Sequence, residues 1–153
     1  SGLWRNYPTS KVPACGTPNQ QRSTVGARHR FMETIDLNAV EVRTLNRRLQ
    51  MRDNDNGETR FQVTNPGGRH ALAVGLTHSI MIEIKGNTGY YCGGMNQGAN
   101  ITINGNVGTG VAENMMSGCV RVKGDASQSA GATADGGLLV IEGDASARCA
   151  ISL

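Results

Sequence analysis

Ile82-Glu83-Ile84-Lys85-Gly86-Asn87, Ile101-Thr102-Ile103-Asn104-Gly105-Asn106, Val120-Arg121-Val122-Lys123-Gly124-Asp125 and Leu139-Val140-Ile141-Glu142-Gly143-Asp144 spell one pattern in four versions. Apolar residues hold every second place, and each segment closes on glycine followed by Asn or Asp. A period of two is the mark of a strand with one buried face, and the closing pair marks a turn. The four glycines recur every 19 residues. A fixed interval of that size predicts stacked supersecondary units, each unable to cover its own apolar face until the next copy lies on it.

If each unit is one coil of a β-solenoid, residues one period apart stack at the interstrand spacing of roughly 4.8 Å. Ile82, Ile101, Val120 and Leu139 then form one inward column, and Ile84, Ile103, Val122 and Ile141 the next. Glu83, Thr102, Arg121 and Val140 alternate outward, as do Lys85, Asn104, Lys123 and Glu142, with Lys123 set to pair with Glu142. The corner falls at Gly86/Asn87, Gly105/Asn106, Gly124/Asp125 and Gly143/Asp144, residue types that enter positive φ cheaply. Beyond it lie columns of small residues: Thr88, Val107, Ala126 and Ala145; Cys92, Val111, Ala130 and Cys149; Gly93, Ala112, Gly131 and Ala150. A second corner is expected at Ala99, Gly118 and Gly137, and Phe61–Asn65 reads as an earlier, less regular coil.

Outside the repeat the text changes twice. Residues 1–31 mix Pro, Ser, Thr, Gln and Arg without a period and read as a disordered or extended basic leader. Arg5, Lys11, Arg22, Arg28 and Arg30 all precede the first acid, Glu33, so the net charge of +3 is concentrated there. A transit peptide, an RNA-binding arm, and extra sequence ahead of a natural start at Met32 are the rival readings of this stretch. Residues 32–58 predict a short strand around Ile35 and Leu37, then a helix over 39–50 opened by a capping box of Asn38 and Glu41. Val42, Leu45 and Leu49 share one stripe of that helix and Arg43, Arg47 and Arg48 the other, which suits a cap; a turn-rich loop follows at 53–57. Residues 59–153 are the solenoid, and the chain stops partway through a coil, so a truncated product or a covering partner is expected there. No run is long and apolar enough to span a bilayer.

Chemistry-bearing residues are sparse. The four cysteines form no CxxC pair, which indicates neither a zinc site nor a secreted disulfide framework and favours a cytoplasmic setting. Gly108-Thr109-Gly110 lacks the third glycine of a dinucleotide fingerprint, and Gly93-Gly94-Met95-Asn96-Gln97-Gly98 lacks the Gly-Lys-Ser/Thr of a phosphate loop. His70 and His78 have no acid or thiol at ligand spacing. Asp125 and Asp144 stack as like charges at a corner, which reads as a screened turn before it reads as a cation site. Cys92 follows paired tyrosines without an identifiable base, so a free-standing enzyme built on this thiol is a minor reading. Tyr90, Tyr91, Met95, Met115 and Met116 are candidate interface residues, methionine being adaptable apolar surface.

The stretches "GYYCGGMN" (89–96), "GVAENMMSG" (110–118) and "KGDASQSAGAT" (123–133) carry a resemblance to the glutamate synthase GXGXG-domain family. Within that family the chain is most similar to the small β-helix subunit of N-methylglutamate synthase and related glutamate synthase-like complexes. The resemblance implies an all-β fold, a right-handed single-stranded parallel β-helix. It also implies a scaffold role, joining a glutaminase-like (class II amidotransferase) subunit to an FMN-binding synthase subunit in glutamate or methylamine nitrogen metabolism. No catalytic, cofactor or metal residue carries over to this chain. FMN, with an iron–sulfur cluster as an option, belongs to the implied partners, which include neither nucleic acid nor membrane. The repeated glycine corners are shared with the β-helix subunit of formylmethanofuran dehydrogenase, and membership of that enzyme is the alternative.

Overall fold

The computed structural model describes residues 31–51 and 59–152; the expectations for residues 1–30 and for the loop at 53–57 lie outside the described residues. Six strands and one helix follow in chain order: β1 (Phe31–Asp36), α1 (Val42–Gln50), β2 (Thr59–Thr64), β3 (Met81–Lys85), β4 (Gln97–Asn104), β5 (Ser117–Val122) and β6 (Leu138–Ile141). All neighbours pair in parallel, and spatial order equals chain order. Each strand therefore returns one step along the stack after one circuit, which makes a β-solenoid of about four turns.

Register confirms the columns. Ile82 pairs with Ile101, Ile101 with Val120, and Val120 with Leu139, while Ile84, Ile103, Val122 and Ile141 follow in step. Ile82, Ile84, Ile101, Ile103, Val120 and Val122 are buried, each contributing about 1.5–3 kcal/mol by leaving water. Val63 sits opposite Ile84, so Phe61–Asn65 is the earlier coil that the pattern suggested. The ladder then extends one rung further, because Ile35 of β1 sits opposite Val63.

Helix α1 lies in the connection between β1 and β2 and puts Leu45 and Leu49 into the core beside partly buried Val42. It begins at Val42, not Ala39, and Glu41 at its N-cap makes no side-chain cap bond. Asp36 is the reason: its carboxylate accepts from the Asn38 N–H at 2.9 Å and its carbonyl from the N–H groups of Ala39 and Val40, which commits residues 37–40 to a turn. The polar edge of α1 serves as a substitute coil. Asn46 Nδ2 donates to the Ala71 carbonyl at 2.7 Å, Asn46 Oδ1 accepts from Val74 N–H, and Gln50 Nε2 donates to the Val74 carbonyl at 2.8 Å.

The Gly-Asx corner works differently from the sequence expectation. Among the four corner glycines only Gly86 has positive φ, and Asn87, Asn106, Asp125 and Asp144 have none. What excludes a side chain is the previous coil: a Cβ on Gly105, Gly124 or Gly143 would stand 2.4–2.6 Å from the carbonyl oxygen of Gly86, Gly105 or Gly124. The Asx residues form a ladder. Asn87 Oδ1 accepts from Asn106 N–H, Asn106 Oδ1 from Asp125 N–H and Asp125 Oδ1 from Asp144 N–H, at 2.9, 2.9 and 2.8 Å. Lys123 is also displaced as the partner of Glu142, which instead takes Arg121 at 2.5 Å, the longer guanidinium reaching across from the adjacent outward column.

Two consequences are measurable by urea unfolding. Asn106→Asp keeps the acceptor and should leave the midpoint nearly unchanged. Asn106→Val should cost about 0.5–1.5 kcal/mol, and Gly124→Ala about 1–3 kcal/mol by overpacking; equal midpoints for the three variants would contradict the ladder. The Asp36 carboxyl is held below its ordinary range, first by the Asn65 side-chain amide and then by the Asn38 N–H. Its folded pKa being the lower one, its contribution is present above the ordinary carboxyl range and is lost as pH falls through the depressed value. Asp36→Asn should therefore shift the midpoint near neutrality and converge with the parent in acid.

Candidate functional site

Opposite the sheet, the coil wall has an unusual backbone. Tyr91, Gly93 and Met95 have φ between 54° and 67°, and the same left-handed state recurs at Gly110, Ala112 and Asn114, at Ser129, Gly131 and Thr133, and at Arg148, Ala150 and Ser152. Every second residue is left-handed, a conformation that costs roughly 1–2 kcal/mol for a side chain bearing a Cβ. Hydrogen bonds between coils hold it. The central residues donate backward, Gly93 to Leu72, Ala112 to Cys92 and Gly131 to Val111, whereas Tyr91 and Met95 donate forward to Thr109 and Glu113. The inner face of this wall is lined by buried Cys92, Val111 and Ala130, with Gly93, Ala112 and Gly131 buried beside them.

The outer face of the wall carries the aromatic and thioether groups. Tyr90, Met95 and Met116 are 55%, 43% and 56% exposed. Tyr91 is half-buried and its hydroxyl accepts from Asn114 Nδ2 at 3.2 Å, while the Thr133 hydroxyl donates to Asn114 Oδ1, so one polar chain crosses three coils. Tyr90 stacks on His70 with ring centroids 3.6 Å apart, and its N–H donates to His70 Nδ1 at 3.0 Å. Gly89 has no room for a Cβ, which would lie 2.0 Å from that nitrogen. Met115 is the correction in this set: it is 2% exposed and packs inward, against Gly137. It shares the column of buried Asn96, whose side chain bonds both N–H and C=O of Ala99 and closes the second corner.

The remaining candidates separate by burial. Cys92 is 1% exposed, and burial pushes its thiol up to about 12, an effect the Thr88 hydroxyl only partly offsets. Cys149 is partly exposed and its thiol is also raised by burial. Cys119 departs from the sequence reading: it is disulfide-bonded, and both Cys92 and Cys149 are free. Asp125 and Asp144 are exposed, and the Asp125 carboxylate serves as a rung of the corner ladder. Among the described residues no three of His, Cys, Asp or Glu are grouped to hold a metal, and no helix is long and apolar enough to cross a membrane.

These features define a stacked parallel solenoid whose distinctive surface is a wall of alternately handed backbone. Over 71 residues, 46% of its length, the chain is 49% identical to Protein GlxC of Rhizobium meliloti (strain 1021), and it covers 31% of that relative. That similarity supports the resemblance at the level of the glutamate synthase-like group and singles out no particular member. No family model matches the chain, and no solved structure does.

Thiol chemistry gives the check on this geometry. With its thiol at about 12, Cys92 at pH 8 holds a thiolate fraction of roughly 10⁻⁴ even before access is considered. Iodoacetamide on the folded chain, read by mass spectrometry, should label Cys149 and spare Cys92. Equal labelling would contradict the packed interior.

Proposed function

We propose that the chain is a non-catalytic scaffold subunit of a glutamate synthase-like complex of the N-methylglutamate synthase kind, working in the cytoplasm. It joins a glutaminase-like subunit to an FMN-binding synthase subunit, so that an amide is processed on one partner and nitrogen is joined to a carbon acid on the other. The observation that carries this reading is the 49% identity with Protein GlxC across a segment that makes up nearly half of the chain. Physical support comes from the wall. Met95 bears the strain of a left-handed backbone at an exposed position, where the equivalent place in the next coil holds Asn114, a residue that tolerates that state better. An exposed thioether at such cost, with Tyr90 and Met116 on the same wall, is suited to burial against another protein. Cys92 is disfavoured as a nucleophile, its thiol being buried and protonated.

The test is capture of the tagged chain from its native cell extract, with the absorbance of the co-purifying proteins recorded. A flavin spectrum together with a glutaminase-like chain is the expected result. A molybdopterin spectrum would replace the reading with the formylmethanofuran enzyme, and turnover by the isolated chain would replace it with a free-standing enzyme. Met95→Asp should weaken capture by about tenfold or more without changing the urea midpoint.

A further inference from the structure

The outer face of the sheet has a feature that its strands do not explain. Met32, Arg60, Met81, Asn100, Cys119 and Leu138 form one register column. Their neighbours Phe61, Ile82, Ile101 and Val120 point into the core, so this column faces outward. Met32 and Leu138 are 55% and 44% exposed, as an outer face requires, yet Cys119 is only 6% exposed and is disulfide-bonded. A shallow groove of about 160 Å³ runs along the same column, lined by Met32, Arg60, Met81, Glu83, Asn100 and Thr102.

The chain has four cysteines, and Cys92 and Cys149 are free, which leaves Cys15 as the partner within one molecule. Length permits it. From the start of β1 to Cys119 on β5 is four strand steps, roughly 19 Å, whereas the 16 residues from Cys15 to Phe31 reach up to roughly 50 Å when extended. The direct path between those two points passes over the groove. We propose that Cys15 and Cys119 form a redox-labile bridge that straps residues 16–30 over the outer face of the sheet, with the Met81–Asn100 groove as their seat. Bridge formation needs an oxidant: with glutathione disulfide, two protein thiols are oxidised and two molecules of reduced glutathione leave, by thiolate attack through a mixed disulfide. In a reducing compartment the strap opens, so its closure reports thiol status.

The whole chain equilibrated natively with glutathione disulfide, blocked with N-ethylmaleimide and digested should yield one peptide carrying Cys15 joined to Cys119, lost on reduction. Cys119 found in a second copy, joined to glutathione, or carrying maleimide would overturn the bridge. In Cys15→Ser, Cys119 should become maleimide-reactive and peroxide oxidation of Met81 should rise several-fold, with exposed Met32 as the unchanged control. Met81 oxidising at the same rate in both proteins would overturn the seat. Neither readout depends on the scaffold role, because capture of partner subunits is not part of it.

Discussion

The closest constraint in this molecule is the contact between successive backbones at the glycine corners. One coil's carbonyl lies where the next coil's Cβ would be, at 2.4–2.6 Å for three consecutive corners, so glycine is required by approach and not by dihedral angle. Bringing two backbones that near strands polar groups unless each finds a partner. The Asx ladder supplies it, since each side-chain oxygen accepts the N–H of the residue one period later. Corner and ladder together fix the vertical register, and the aliphatic columns then fall into line above one another.

The rest of the coil follows from that register. The sheet contributes inward aliphatic rows, and the opposite wall contributes small residues carried on alternately handed backbone. That wall is strained residue by residue and satisfied coil by coil, because its N–H groups point alternately backward and forward into neighbouring carbonyls. It is stable only as part of a stack. The same dependence explains α1, whose Asn46 and Gln50 amides meet the carbonyls of Ala71 and Val74 where a further coil would otherwise stand.

Much of this was legible in the residues. The period-two text from Ile82 onward, repeated every 19 residues, located four strands and their inward faces, because a strand with one buried side has no other way to be written. Three things were hidden. The left-handed wall places side chains in and out alternately, as a strand does, so Tyr91, Ala112 and Ser129 look like strand residues in sequence. β1 as a rung was masked by distance, since Ile35 and Val63 are separated by a helix and a loop where the other coils have a short turn. Met115 and Met116 are chemically alike, and only the corner at Gly118 decides which of them enters the core. The role of Asn87 and Asn106 was likewise misread, because Asn next to Gly suits both a positive-φ turn and a side-chain acceptor, and the two differ only once coils are stacked.

A scaffold built this way offers neighbours a rigid face in place of a pocket, and its surface chemistry is set by which residue occupies each repeated position. The claim beneath all of this is that 19 residues constitute one interchangeable step. Excising residues 106–124, which joins Gly105 to Asp125 and leaves each column in phase, tests it most directly by urea unfolding monitored by far-ultraviolet circular dichroism. The expected result is a cooperatively unfolding β-protein of reduced stability, alongside loss of the transition when a segment about half as long is removed from the same place. Loss of cooperative unfolding in the in-phase deletion, or equal tolerance of the out-of-phase one, would contradict the stacked-coil account.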